Sequence, residues 1–135
     1  MHTIEVRSAN IILVTWTGDV GVDDADACVS WLSSASARAT AEGRRFAVLH
    51  DCRNIERIAP EGQRSFAQSC IADGAAIVGV WTIRPSLAAT GGLLQVHTID
   101  PDADVQTARS LGEAEGAARR RLGPSTPTPA AGTLR

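Results

Sequence analysis

The sequence predicts a single α/β domain: a mixed sheet of about five strands with helices mainly on one face. Three observations carry this. Strand-length runs rich in β-branched and apolar residues alternate with stretches whose apolar residues recur every three to four positions. One run, Phe46-Ala47-Val48-Leu49, is apolar without interruption, the pattern of a central strand covered on both faces. The chain has 135 residues, one domain's worth, with enough core to bury roughly two-thirds of its unfolded surface.

The elements follow in order. Thr3 to Val6 and Ile11 to Thr17 read as two strands of a hairpin, with Ser8-Ala9-Asn10 as the turn. Gly18 is expected to end the second run, and Gly21 to give freedom before a helix. Asp23 and Asp24 suit a helix start, where carboxylates satisfy free N–H groups and the positive helix end. Ala25, Cys28, Val29, Leu32, Ala35 and Ala39 then form one apolar stripe, and Gly43 closes the helix. Trp31 falls off that stripe. It is expected to pack at the stripe's edge, with exposure at an interface as the alternative.

The central strand runs into His50-Asp51-Cys52-Arg53-Asn54. A loop, IERIA, follows, and Pro60 suits a first helical position. Phe66, Ala67, Cys70 and Ile71 make a second stripe, which Gly74 stops. Ala75 to Ile83 is the next buried strand, so this strand–helix–strand unit predicts parallel neighbours with a right-handed crossover. Residues 86–99 read either way. LLQVHTI has strand propensity, yet Leu87, Gly91, Leu94 and His97 or Thr98 share one helical face. Val105 to Ala108 is a last short strand. Ser110 and Glu113 form a capping box for a helix whose stripe is Leu111, Ala114, Ala118 and Leu122. The folded domain is therefore expected over 1–122, with 123–135 a flexible Pro-rich tail.

Composition narrows the function. Apolar residues make up 44% and charged residues 21%, with a net charge of −2. That excludes a disordered chain and a supercharged binder, and it advertises no broad attraction to nucleic acid. No apolar run approaches the ~20 residues of a membrane span. The opening MHTIEVRSAN has no basic-then-apolar leader, so a cytoplasmic protein is expected. All 13 basic residues are Arg, Tyr and Lys are absent, and Ala supplies 22 positions, a bias that fits a GC-rich bacterial coding sequence. Cys28, Cys52 and Cys70, odd in number and without metal-like spacing, read as reduced buried thiols.

Candidate chemistry is thin. On a strand His50 and Cys52 share a face while Asp51 faces away, and side chains two apart lie about 6–7 Å from each other. That is too far for direct Cys–His proton transfer. His50, Cys52, Cys70 and His97 show no zinc-like spacing, so no metal is expected. Asp19, Asp23, Asp24 and Asp26 lack the order of a calcium loop. Arg119-Arg120-Arg121 suits a helix C-terminus, and Gly91-Gly92 is no phosphate cradle. The reading is a non-enzyme with no cofactor. An enzyme using Cys52 is one alternative.

The β-β-α-β-α-β-(α)-β-α order is carried by IILVTWTGDVGVDDADACVSWL, FAVLHDCRNIERIAPEGQRSFA, AAIVGVWTIRPSLAATGGLL and VQTARSLGEAEGAARRRL. These segments resemble the STAS family of anti-sigma-factor antagonists, whose sheet topology is shared with CRAL-TRIO lipid-transfer domains. The resemblance covers about residues 3 to 122 and favours helix over 86–97. In the phosphorylatable antagonists the loop after the third strand carries Asp-Ser-x-Gly at the start of the next helix, and a kinase partner phosphorylates the Ser. Here the Ser place falls at Pro60 and the Gly place at Gly62, and Ser65 is a poor substitute. The resemblance therefore implies a protein-interaction module without the usual phosphorylatable serine. Its partner would be another protein, a regulator, kinase-like or signalling protein, or a second copy. The contact residues are expected to be Asn54, Ile55, Glu56, Arg57, Ile58, Pro60, Glu61, Gly62 and Arg64. Ile55 and Ile58 would supply apolar area and the charges electrostatic register. A further alternative is a module that binds a lipid or other apolar small molecule, in a pocket lined by Leu87, Leu93, Leu94 and Trp81.

Overall fold

The computed structural model describes residues 1–8 and 10–123. Ala9 of the expected turn, and the expected tail from residue 124 onward, lie outside the described residues. The chain runs β1 (His2–Ser8), β2 (Ile11–Val20), α1 (Val22–Ala41), β3 (Phe46–Ile58), a 3-10 turn (Pro60–Gly62), α2 (Gln63–Ser69), β4 (Ile77–Ile83), α3 (Leu87–Leu93), α4 (Val96–Ile99), β5 (Val105–Ala108) and α5 (Leu111–Leu122). The strands lie side by side in chain order. β1 is antiparallel to β2, and every later neighbour is parallel, because each return passes through a helical connection.

Strand alternation divides the core in two. Ile12, Val14, Trp16, Val48 and Val80 meet Cys28, Leu32, Phe66, Ala89 and Val96 on the face covered by α1 to α4. Ile11, Leu13, Ala47, Leu49, Trp81 and Ile83 meet Ala114 and Ala118 of α5 on the other. Helices thus lie mainly on one face, with α5 alone opposite. The Ser110 hydroxyl accepts from the Glu113 N–H, and the Glu113 carboxylate accepts from the Arg109 N–H, so the cap forms one residue wider than the expected box.

Two expectations are corrected. Gly18 does not end β2. It takes φ +67°, and the register shifts just beyond it while pairing continues to Val20. The segment IERIA is not a loop: β3 continues to Ile58. Thr15 and Thr17 of β2 face Asp51 and Asn54, then Gly18 and Asp19 face Ile55 and Arg57, so β3 carries an extra residue twice. These two bulges turn the strand so that Cys52, Ile55 and Ile58, three apart, all enter one core. That spacing defeats the alternation by which a strand is recognised.

Residues 87–93 and 96–99 are helical, and Leu93 packs partly against the core. Ala89 and Gly92 face the sheet, while Leu87 and Leu94 are 91% and 74% exposed. A Cβ on Gly92 would stand 2.8 Å from the Ile58 side chain and 2.9 Å from Phe66. The helix sits so close that only small residues fit beneath it.

Candidate functional site

The extended β3, the 3-10 turn and the start of α2 form one continuous ridge. The bulges that bury Ile55 and Ile58 leave Arg53, Asn54, Glu56 and Arg57 exposed. Pro60, Glu61 and Arg64 continue the exposed line, while Gly62 is buried. Ile55 and Ile58, at 3% and 6% exposure, therefore anchor the ridge from beneath and offer it no apolar surface. Arg57 reaches Asp19 at the end of β2 across 3.5 Å. Both are solvent-facing, so the pair contributes little stability and orients the ridge instead.

Pro60 is the first residue of the 3-10 turn, where its missing N–H has no partner to lose. Gly62 follows because α1 begins against it: a Cβ there would stand 3.0 Å from backbone atoms of Gly21 and Val22. Ser65, the nearest hydroxyl downstream, donates to Asp26 of α1. The Gln95 side-chain amide donates to the Gln63 side-chain Oε1 at 2.8 Å, tying α2 to the start of α4. Leu94, the residue before Gln95, is exposed. Leu87 and Leu94, seven apart and outward, were legible as a helical face. Their exposure was not, because it depends on the clearance between Gly92 and Ile58.

Beneath the ridge, His50-Asp51-Cys52 is structural in its contacts. His50 is fully buried. Its Nδ1 accepts from the Trp16 indole at 3.0 Å and its Nε2 donates to the Ser69 carbonyl at 3.0 Å, which uses both ring nitrogens on a neutral imidazole. Desolvation lowers its pKa to about 4, although the bond to Ser69 works in the opposite direction. Burial pushes the Cys52 thiol well up, away from thiolate. Burial also pushes the Asp51 carboxyl up, but hydrogen bonds from the Arg53 guanidinium and backbone outweigh this and hold it below the usual range.

The remaining candidates disperse. Trp81 packs under α5, on the sheet face opposite α3, so it cannot share a cavity with the outward Leu87 and Leu94. The apolar-ligand pocket expected from these residues is not formed. His97 is exposed while His50, Cys52 and Cys70 are buried, and among the described residues no three metal-ligating groups converge. The acidic cluster is divided: Asp24 pairs with His2, Asp26 with Ser65 and Asp19 with Arg57. Trp31 sits at the edge of the α1 stripe and is 39% exposed. One feature gave no sequence signal. Arg84, just past β4, has φ +42°, held by its N–H donating to Ala108 at 2.9 Å. Among the described residues, no helix is long and apolar enough to cross a membrane.

No protein-family model matches the sequence, and no curated protein matches it. Solved structures do share its fold. The anti-sigma factor antagonist SpoIIAA in its unphosphorylated form superposes with a TM-score of 0.56 at 8% identity, over 87% of this chain and 96% of that one. An anti-sigma factor antagonist from Mycobacterium paratuberculosis gives 0.57 at 16% identity, covering 87% and 92%. A Thermotoga maritima protein described as an anti-sigma factor antagonist gives 0.59 at 11% identity, covering 88% and 95%. The chain has the STAS fold of these antagonists, across nearly the whole length of each.

Proposed function

We propose that this protein is a non-catalytic regulatory module of the anti-sigma-factor-antagonist type. It binds a partner protein through the ridge at the end of β3 and the head of α2, without phosphorylation of a serine there. The observation that carries this reading is the Ala59-Pro60-Glu61-Gly62 segment, which stands at the head of α2 on a STAS fold. The glycine place is kept and the hydroxyl place holds a proline. Phosphorylation there would add about two negative charges beside the partner surface. A proline cannot accept them, so binding is constitutive or governed by the partner.

The recognition surface comprises Asn54, Glu56, Arg57, Pro60, Glu61 and Arg64, with Ile55, Ile58 and Gly62 supporting it from below. Leu94 and Leu87 supply the apolar area first expected of the two isoleucines. Alternating charge on the ridge sets orientation and on-rate more than affinity. The partner is a protein with an apolar spot flanked by both signs of charge. A reducing cytoplasmic setting suits the three buried free thiols.

Quantitative mass spectrometry of proteins captured by three baits tests this. The baits are the wild-type chain, Arg57→Glu/Leu94→Glu, and Arg120→Glu on α5 as control. A partner retained by wild type and control but lost from the ridge variant is the expected result. A partner equally retained by all three sinks the surface. A phosphopeptide from residues 58–65 in chain recovered from its native cell sinks the unswitched mechanism.

A further inference from the structure

Three features meet along β1. It is the outer strand, paired with β2 alone among the described residues, so its second edge directs backbone N–H and C=O groups away from the sheet. Val6, near its end, is 60% exposed and shares an open cleft with Trp31 and Ala35 of α1. On the opposite face Arg7 lies between Glu5 and Glu115 of α5. Arg7 is also the extra residue of a bulge: Val6 faces Ile12 and Ser8 faces Ile11, which leaves Arg7 with no partner on β2.

We infer that β1 joins two copies of this chain, antiparallel about a two-fold axis beside Val6, so that two five-stranded sheets become one continuous sheet. Register selects the position of the axis. A two-fold axis normal to the sheet keeps both α1 helices on one face. Opposed side chains of an antiparallel pair also share a face, so the axis passes beside a residue and not between two. Beside Glu5, two carboxylates would be directly opposed, which is unfavourable. Beside Ile4, Glu5 would meet only Thr3. Beside Val6, valine meets valine, and Glu5 of each copy meets Arg7 of the other, giving two cross-strand pairs of opposite charge. On the α1 face both Val6 and both Trp31 then line one apolar strip. The bulge restricts regular pairing to a few residues, so the dimer depends on concentration. This contact is independent of the ridge on β3 and α2.

Light scattering after size-exclusion chromatography tests it. The wild-type mass should climb with loading concentration from 14.1 kDa toward twice that value. Glu5→Arg and Arg7→Glu should each stay monomeric. An equimolar mixture of the two should regain the dimer, since each supplies the charge the other lacks. Val6→Cys should form a disulfide-linked dimer on mild oxidation, while the buried native thiols stay silent. Circular dichroism confirms folding of each variant. A wild type that stays monomeric at every concentration overturns the inference. So does a dimer indifferent to both charge reversals, or a mixture that fails to recover it.

Discussion

Trp16 and His50 place a polar pair at the centre of the α1-side core, with Phe66 edge-on to the indole at 5.3 Å. The arrangement stays stable only while the imidazole is neutral. With a folded pKa of about 4 against the ordinary 6.5, the unfolded chain binds a proton at His50 that the folded chain refuses. Stability is therefore full above about pH 6.5 and falls as pH drops toward 4, by about 3 kcal/mol at roughly 1.4 kcal/mol per pH unit. Urea unfolding from about pH 7 to about pH 4.5 should show this loss. His50→Leu should flatten that slope. It should also cost about 1–3 kcal/mol at neutral pH for each of the two orphaned groups, the Trp16 N–H and the Ser69 carbonyl. An unchanged slope in the variant would assign the pH dependence to the carboxylates instead.

At the scale of elements, the close approaches matter most. Gly62 has φ −96°, a conformation alanine adopts without strain, so its requirement is purely steric. Gly62→Ala should lose roughly 1–3 kcal/mol, because the neighbours at 3.0 Å are backbone atoms of Gly21 and Val22 that cannot rotate aside. Gly91, exposed on α3 with nothing within 4 Å, is the internal control. Gly91→Ala should be neutral or stabilising by up to about 1 kcal/mol. Equal effects in chemical denaturation would remove the packing argument. The same approaches explain what could be read in advance. The helix starts and stops near Gly21, Gly43 and Ser110 were legible because caps are local. The outward turn of Leu87 and Leu94 was not. Helical spacing identifies a face, while the identity of its neighbour decides which face goes in.

Across the whole molecule, the three thiols lie in a single core beneath α1 and α2. Desolvation pushes Cys28 and Cys70 up to about 12 and Cys52 well above the ordinary thiol range, so none is held as a thiolate. Because they share one cooperative unit, all three should react with a thiol reagent at one slow rate that tracks global opening and rises with urea. A single fast-reacting Cys52 in the native protein would revive an enzymatic reading. The ridge is equally a product of the whole. It needs β2, the bulged end of β3 and the 3-10 turn in place before Arg57, Glu61 and Arg64 form one exposed line.

By itself the sequence determined the number and order of strands, the parallel pairing of the β3–β4 unit, the capped last helix and the proline at the head of α2. Each rests on a short-range signal: apolar periodicity, caps, or a ring that removes an N–H. Only the tertiary structure decided that β3 runs on through Ile55 to Ile58, that both isoleucines are buried, and that Leu87 and Leu94 face water. Those outcomes follow from two extra residues in β3 and from the distance at which α3 meets Ile58 and Phe66, and neither is a property of any one segment.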